Sequence, residues 1–138
     1  MGVIAGDIDN DGDLDLFVTN TSNQNNMFYT NDGDGTFTQV TSGVLVSDGG
    51  HSHGSAWADY DNDGDIDLIV TNDQNTPNFL YANDGDGTFT KMTENAIAEA
   101  TSNSFGTAWA DLDNDGDMDL FVANHGSQTN DMYLNSKG

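Results

Sequence analysis

Fifteen of the 22 aspartates in this 138-residue chain fall in three nine-residue stretches that read D-x-D-N-D-G-D-x-D. They are Asp7, Asp9, Asp11, Asp13 and Asp15; Asp59, Asp61, Asp63, Asp65 and Asp67; and Asp111, Asp113, Asp115, Asp117 and Asp119. Alternating carboxylates around a tight bend place several hard oxygen donors on its inner side. Gly12, Gly64 and Gly116 occupy the sixth position, where a sharp reversal is expected to leave no room for a Cβ. A flexible ring of oxygens suits Ca²⁺, which accepts about six to eight ligands at roughly 2.3–2.6 Å. Mg²⁺ needs a tighter octahedron with retained water, and transition metals favour nitrogen or sulfur. Three calcium sites are therefore expected. An EF-hand is excluded, because its loop needs a bidentate Glu at the twelfth position, where this chain has Val18, Val70 and Val122. Acidic runs are commonly solvated faces, but a solvated face does not require one spacing three times over.

The elements that position these loops repeat with them. Asp7, Asp59 and Asp111 lie 52 residues apart, as do Gly2, Gly54 and Gly106, and Tyr29, Tyr81 and Tyr133. A period near 50 points to a propeller or a related array. Within one repeat the pattern is all β: Ser55–Ala58 runs into the acidic loop, and Ile66–Thr71, Asn78–Tyr81 and Thr88–Met92 follow as strands. The sequence NDGDGTFT, at Asn31–Thr38 and Asn83–Thr90, forms the hairpin turn between the last two. Four strands per repeat make one propeller blade. The expected fold is an all-β chain of about three blades of antiparallel strands, the third without its fourth strand, with eleven strands in all. Residues 1–138 read as one repeat domain, divided 2–53, 54–105 and 106–138. Thr41–Ser52 and Thr93–Ser104 are the inter-blade links, with at most one helical turn at Glu94–Ala100. Thr19–Asn26 reads as an exposed loop containing a glycosylation sequon at Asn20.

The stretches His53-Gly54-Ser55-Ala56-Trp57-Ala58 and Phe105-Gly106-Thr107-Ala108-Trp109-Ala110, each leading into its acidic loop, resemble the FG-GAP or VCBS-type repeat of the integrin α-subunit propeller and of many secreted bacterial proteins. The resemblance covers nearly the whole chain, although the first copy departs from it with Val3-Ile4-Ala5-Gly6 and no Trp. It implies that each loop joins two neighbouring strands of a blade and holds calcium. The ligands would be side chains at positions 1, 3, 5 and 9 and the main-chain carbonyl at position 7. The first site would then use Asp7, Asp9, Asp11 and Asp15 with the carbonyl of Asp13. The second would use Asp59, Asp61, Asp63 and Asp67 with that of Asp65, and the third Asp111, Asp113, Asp115 and Asp119 with that of Asp117.

Charge and composition exclude several functions. A net charge of −22 with only Lys91 and Lys137 as cations rules out binding to nucleic acid and disfavours anionic membrane surfaces. No apolar run approaches the roughly 20 residues of a membrane span, and Met1-Gly2 leads directly into patterned sequence without a visible signal peptide. With no cysteine there is neither a disulfide framework nor a thiolate site. His51 and His53 would share a strand face, but no third ligand for a transition metal is evident. His53 stands in the register of Phe105, which favours packing, and His125 should be exposed. Trp57 and Trp109, at one repeat position, are expected between blades rather than against sugars. No nucleophile elbow or general-base constellation is present, and Asp84 and Asp86 belong to a turn rather than a glycosidase pair.

Closed propellers have roughly 4–8 blades, so three alone do not close a ring in the usual way. Either several chains are expected to complete a ring or a head-to-tail filament, or the sequence is part of a longer propeller. The expected function is a non-enzymatic extracellular or cell-surface scaffold, or an adhesion module, with a protein or glycan ligand. The other readings are a calcium-dependent lectin-like module and an accessory fragment of a polysaccharide-processing enzyme.

Overall fold

The computed structural model describes residues 1–136. Each repeat folds into a meander in which consecutive strands pair antiparallel. The first blade is β1 (Val3–Gly6), β2 (Asp15–Val18), β3 (Met27–Asn31) and β4 (Phe37–Val40). The second is β5 (Ser52–Ala58), β6 (Asp67–Asn72), β7 (Phe79–Asn83) and β8 (Phe89–Met92). The third, among the described residues, is β9 (Ser104–Ala110), β10 (Asp119–Asn124) and β11 (Asp131–Tyr133). The eleven expected strands are all present.

Blades stack face to face because their second strands are apolar on both sides. Successive side chains of a strand point to opposite faces. In β6, Leu68 and Val70 join Ile8, Phe17 and Phe28 of the first blade, while Ile69 joins Leu120 and Val122 of the third. All six residues of β6 are buried. Trp57 sits between Phe17 and Phe89, with ring centroids 6.1 and 6.2 Å away, and Trp109 lies 5.6 Å from Tyr60. Both tryptophans are thus part of the packing between blades.

The links are less irregular than their composition suggests. A 3₁₀ turn at Val44–Val46 and α1 (Ala96–Glu99) stand at the same repeat position and bury Leu45 and Ile97 against the blade junctions. The segment Thr19–Asn26 is not wholly exposed either, since Thr19, Asn20 and Asn26 are buried. Asn20 is 6% exposed, its backbone N–H donates to Asn26 Oδ1 at 2.8 Å, and its Nδ2 donates to the Asn25 carbonyl at 2.9 Å. Asn72 and Asn124 repeat both bonds. The sequon at Asn20 is therefore built from a structural asparagine whose amide is already engaged.

One hydroxyl bridges each junction. Thr19 Oγ1 accepts from Gly2 N at 2.7 Å and donates to the His53 carbonyl of the next blade at 2.9 Å. Thr71 does the same with Gly54 N at 3.0 Å and the Phe105 carbonyl at 3.2 Å. The approach is close enough that a Cβ on Gly54 would meet the Phe105 carbonyl oxygen at 2.5 Å. Thr71→Val keeps the shape but deprives the half-buried Gly54 N–H and the Phe105 carbonyl of this partner, so a loss of about 1 kcal/mol is expected. Urea denaturation should show it, with Thr71→Ser retaining most of the stability.

Candidate metal centre

Each acidic loop connects the first two strands of a blade: β1 to β2, β5 to β6 and β9 to β10. The loop closes on itself through its own carboxylates. The first Asp accepts from the glycine N–H at the sixth position, Gly12 to Asp7 at 3.1 Å, Gly64 to Asp59 at 3.1 Å and Gly116 to Asp111 at 3.2 Å. The Asp at position 5 (Asp11, Asp63 or Asp115) accepts from the N–H at position 7 at 2.9–3.0 Å in all three loops. The expected reason for the glycines needs correction. A Cβ on Gly12, Gly64 or Gly116 would meet nothing within 4 Å, but their φ values are 93°, 100° and 99°. Backbone conformation, not crowding, demands glycine there. Asn10, Asn62 and Asn114 also adopt the left-handed region, at φ 59°, 61° and 62°, which Asn tolerates better than most residues.

Three carboxylates converge in every loop. Oxygens of Asp7, Asp9 and Asp11, of Asp59, Asp61 and Asp67, and of Asp111, Asp113 and Asp115 lie within 4.8 Å of one another. Asp7 Oδ1 is buried and has no hydrogen-bond partner. A cluster of oxygens alone, one of them desolvated and unpaired, fits a hard divalent cation and offers nothing to a thiophilic metal.

The remaining aspartates do other work. At position 9, Asp15, Asp67 and Asp119 are buried clamps, and Asp67 alone of the three also joins a convergent group. One oxygen of each accepts from the N–H of the second loop residue: Ile8 at 3.1 Å, Tyr60 at 2.7 Å and Leu112 at 2.7 Å. The other accepts from Asn31 at 2.8 Å, Asn83 at 2.9 Å and Asn135 at 2.8 Å. The clamp ties loop, second strand and third strand together. The shared register of Asn31, Asn83 and Asn135 was the signal for it in the sequence. At position 7, Asp65 and Asp117 turn their side chains to the preceding blade, accepting from Asn10 Nδ2 at 2.8 Å and from Asn62 Nδ2 at 2.7 Å.

Burial and crowding push several of these carboxyls up. Asp67 rises to about 6, chiefly through burial and then through the charges of Asp61 and Asp63, against the lowering effect of its two backbone N–H bonds. Asp15 rises by burial, with Asp9 and Asp11 adding to it. Asp61 and Asp113 rise through desolvation and the neighbouring Asp63 and Asp115 charges.

The FG-GAP-like repeat family matches this chain over residues 7–70 and 59–122. The chain belongs to the FG-GAP-like repeat family. Cartilage acidic protein 1 of Xenopus tropicalis is 30% identical over 138 residues, covering 96% of this chain and 21% of its own length. Cartilage acidic protein 1 of Homo sapiens is 31% identical over 126 residues, covering 89% of this chain and 19% of its own. The chain thus spans about a fifth of each of these relatives. The two family matches overlap, each running from one acidic loop through the second strand of the following blade, so both contain a blade junction.

Outside the FG-GAP-like loops, the described residues form a further polar cluster around Asp73. The Asp73 carboxylate lies 3.2 Å from His53 Nε2 and 4.0 Å from His51 Nδ1, so the two histidines have a third group that their spacing alone did not reveal. The His53 ring stacks on Phe105 at 4.0 Å, in the packing role expected of it. His125 is exposed, as expected, with its ring 5.1 Å from Phe105. In the hairpin turns, Asp34 and Asp86 accept from Thr36 and Thr88, which holds both carboxyls low.

A pH dependence follows from the raised carboxyls. Asp67 titrates at about 6 when folded and near 3.9 when unfolded. The stability that it contributes to the metal-free chain is full below the unfolded value and is lost as pH rises through the folded one. Asp34 and Asp86 act only below about pH 4, outside this window. Thermal melts in chelator should therefore show a falling midpoint from about pH 5 to pH 7. With millimolar calcium the slope should reverse, because the cation needs the ionised form.

Proposed function

We propose that the chain is a calcium-stabilised FG-GAP-like repeat module, one repeat domain over residues 1–138, that works outside the cell as a non-enzymatic scaffold or adhesion surface. The observation that carries this reading is the convergence of carboxylate oxygens at the same place in every blade, where a cation would bind two strands together. The ligands of each ion are proposed to be the side chains at loop positions 1, 3, 5 and 9 and the carbonyl at position 7. The position-9 clamps lie next to these clusters in the first and third loops and within the cluster in the second.

Bound calcium would supply the counter-charge that these loops lack, and its binding free energy would add to folding free energy. At a free concentration 100 times its dissociation constant, one ion stabilises by about 2.7 kcal/mol. Extracellular modules work with dissociation constants of about 10⁻⁴–10⁻³ M, matched to the calcium outside cells. The names of the cartilage acidic proteins speak of cartilage and of acidity, and the acidity is shared by this chain at −22. Three ions would return six charges and leave about −16, a surface that stays strongly acidic. The partner would be a protein or glycan that tolerates such a surface. Among the described residues no helix is long and apolar enough to cross a membrane.

Near-UV circular dichroism tests this directly, because Trp57 and Trp109 report on the blade junctions. Chelation should collapse the signal and lower the thermal midpoint, and calcium should restore both. Asp61→Asn should remove one ion from the binding stoichiometry and lower the midpoint by about 4 °C for each kcal/mol lost. A chelated sample that keeps its native near-UV spectrum and midpoint would overturn the proposal.

A further inference from the structure

We propose that His51, His53 and Asp73 form a binding site for one Zn²⁺ ion, separate from the acidic loops. The cluster lies in the middle blade, which has a blade packed on either face. His51 and Asp73 stand opposite each other where β5 begins and β6 ends, joined by a backbone bond from the Asp73 N–H to the His51 carbonyl at 3.1 Å. His53 follows at a bulge between Ser52 and Ser55, with its Nε2 3.2 Å from Asp73 Oδ2. The acidic loop is at the other end of β5. At about 3.3 Å of rise per residue, Asp59 is roughly 20 Å from His53.

Two imidazoles and a carboxylate are a donor set that Zn²⁺ takes in its three-ligand sites, with the fourth position left to water or a ligand. Around a tetrahedral ion with bonds of about 2.0 Å, neighbouring donors stand about 3.3 Å apart. His53 Nε2 and Asp73 Oδ2 already have that separation. His51 Nδ1 is 4.0 Å from Asp73 Oδ1, too far for a hydrogen bond. Both of these atoms are buried without a hydrogen-bond partner. A plain ion pair between His53 and Asp73 accounts for the first distance and leaves the second pair of atoms orphaned, at a cost that an ion between them removes. Binding requires the His51 ring to turn toward the ion that His53 and Asp73 hold. The stack of His53 on Phe105, with centroids 4.0 Å apart, fixes the other ring. The three side chains are 16–23% exposed, which leaves an opening for the ion and a fourth ligand to enter from solvent.

The repeat itself does not ask for these residues. In the third blade, Asn103, Phe105 and His125 occupy the three positions, and in the first blade Thr21 stands in place of Asp73. The backbone bond is kept in the third blade, from the His125 N–H to the Asn103 carbonyl at 2.8 Å, and so is a ring at the second position. The donor set is not. Packing accounts for a ring at position 53 but for neither His51 nor Asp73, so chemistry particular to the middle blade is what the three share.

Titration of the intact chain with Zn²⁺ tests the site, in millimolar calcium to compete for the loop carboxylates and at about pH 7.5, where imidazole is neutral. Proton–nitrogen NMR spectra of the imidazoles report His51, His53 and His125 separately. One zinc ion per chain is expected, shifting the ring nitrogens of His51 and His53 and leaving those of His125 in place. His51→Asn and His53→Phe put in the residues that the third blade carries at those positions, so both variants should fold. Each should bind zinc more than about tenfold more weakly, since even the outer partners of a metal ligand are worth about that much. The proposal is overturned by no uptake at about 100 µM zinc, by imidazole signals of His51 and His53 that stay in place, by an equal shift of His125, or by unchanged binding in both variants. The wild-type spectra decide even where a variant does not fold. The site shares no residue with the acidic loops, so its failure leaves the calcium proposal standing.

Discussion

Five carboxylates within nine residues repel one another, and that repulsion governs the rest of this structure. At a separation of 4 Å, two like charges cost about 4 kcal/mol at the effective dielectric near a protein surface, and about 1 kcal/mol in bulk water. Each loop brings three carboxylates within 4.8 Å; the buried position-9 aspartate is one of the three in the second loop and a fourth carboxylate of the loop in the first and third. The backbone N–H groups of glycine and asparagine offset part of this, but they serve one or two oxygens each. The raised titration of Asp15, Asp61, Asp67 and Asp113 comes first from desolvation and second from these neighbouring charges. A divalent cation is the natural counter-charge for such a set, and a proton is the poorer substitute.

The same loops also govern how blades meet. The position-9 aspartate fixes the loop to the third strand of its own blade, through Asn31, Asn83 or Asn135. Asn83 and Asn135 then reach across to the carbonyl of the second loop residue in the blade before. The fourth-position Asn reaches the other way, to the next loop. Loop order and blade stacking are therefore mechanically linked, and disorder in one loop is felt at the junctions on either side. The apolar contacts pack the faces together, while these few hydrogen bonds set the register in which the faces meet.

Much of this was legible in the sequence because the chain states it two or three times. A 52-residue step, alternating apolar residues and repeated NDGDG turns give the strands, their order and the places of the loops. What was not legible depends on contacts between repeats. Thr19 and Asn20 read as loop residues because polar side chains usually face water, yet both are buried by hydrogen bonds to a neighbouring blade or turn. The 3₁₀ turn around Leu45 is too short to show a helical period, whereas the single turn around Ile97 falls within Glu94–Ala100, where one turn was expected. Gly12 was read as a matter of space when it is one of backbone angle. Asp73 lies 20 residues from His53 and approaches it only because β5 and β6 pair.

The most direct test of the account is a calorimetric titration of the chelator-treated chain with Ca²⁺ at pH 7.5, repeated with Mg²⁺. The account predicts three calcium ions per chain, one for each loop, with binding heat that includes the ordering of the loops and a much weaker response to Mg²⁺. A chain that takes up no calcium at millimolar concentrations, or that binds both ions equally, would contradict it.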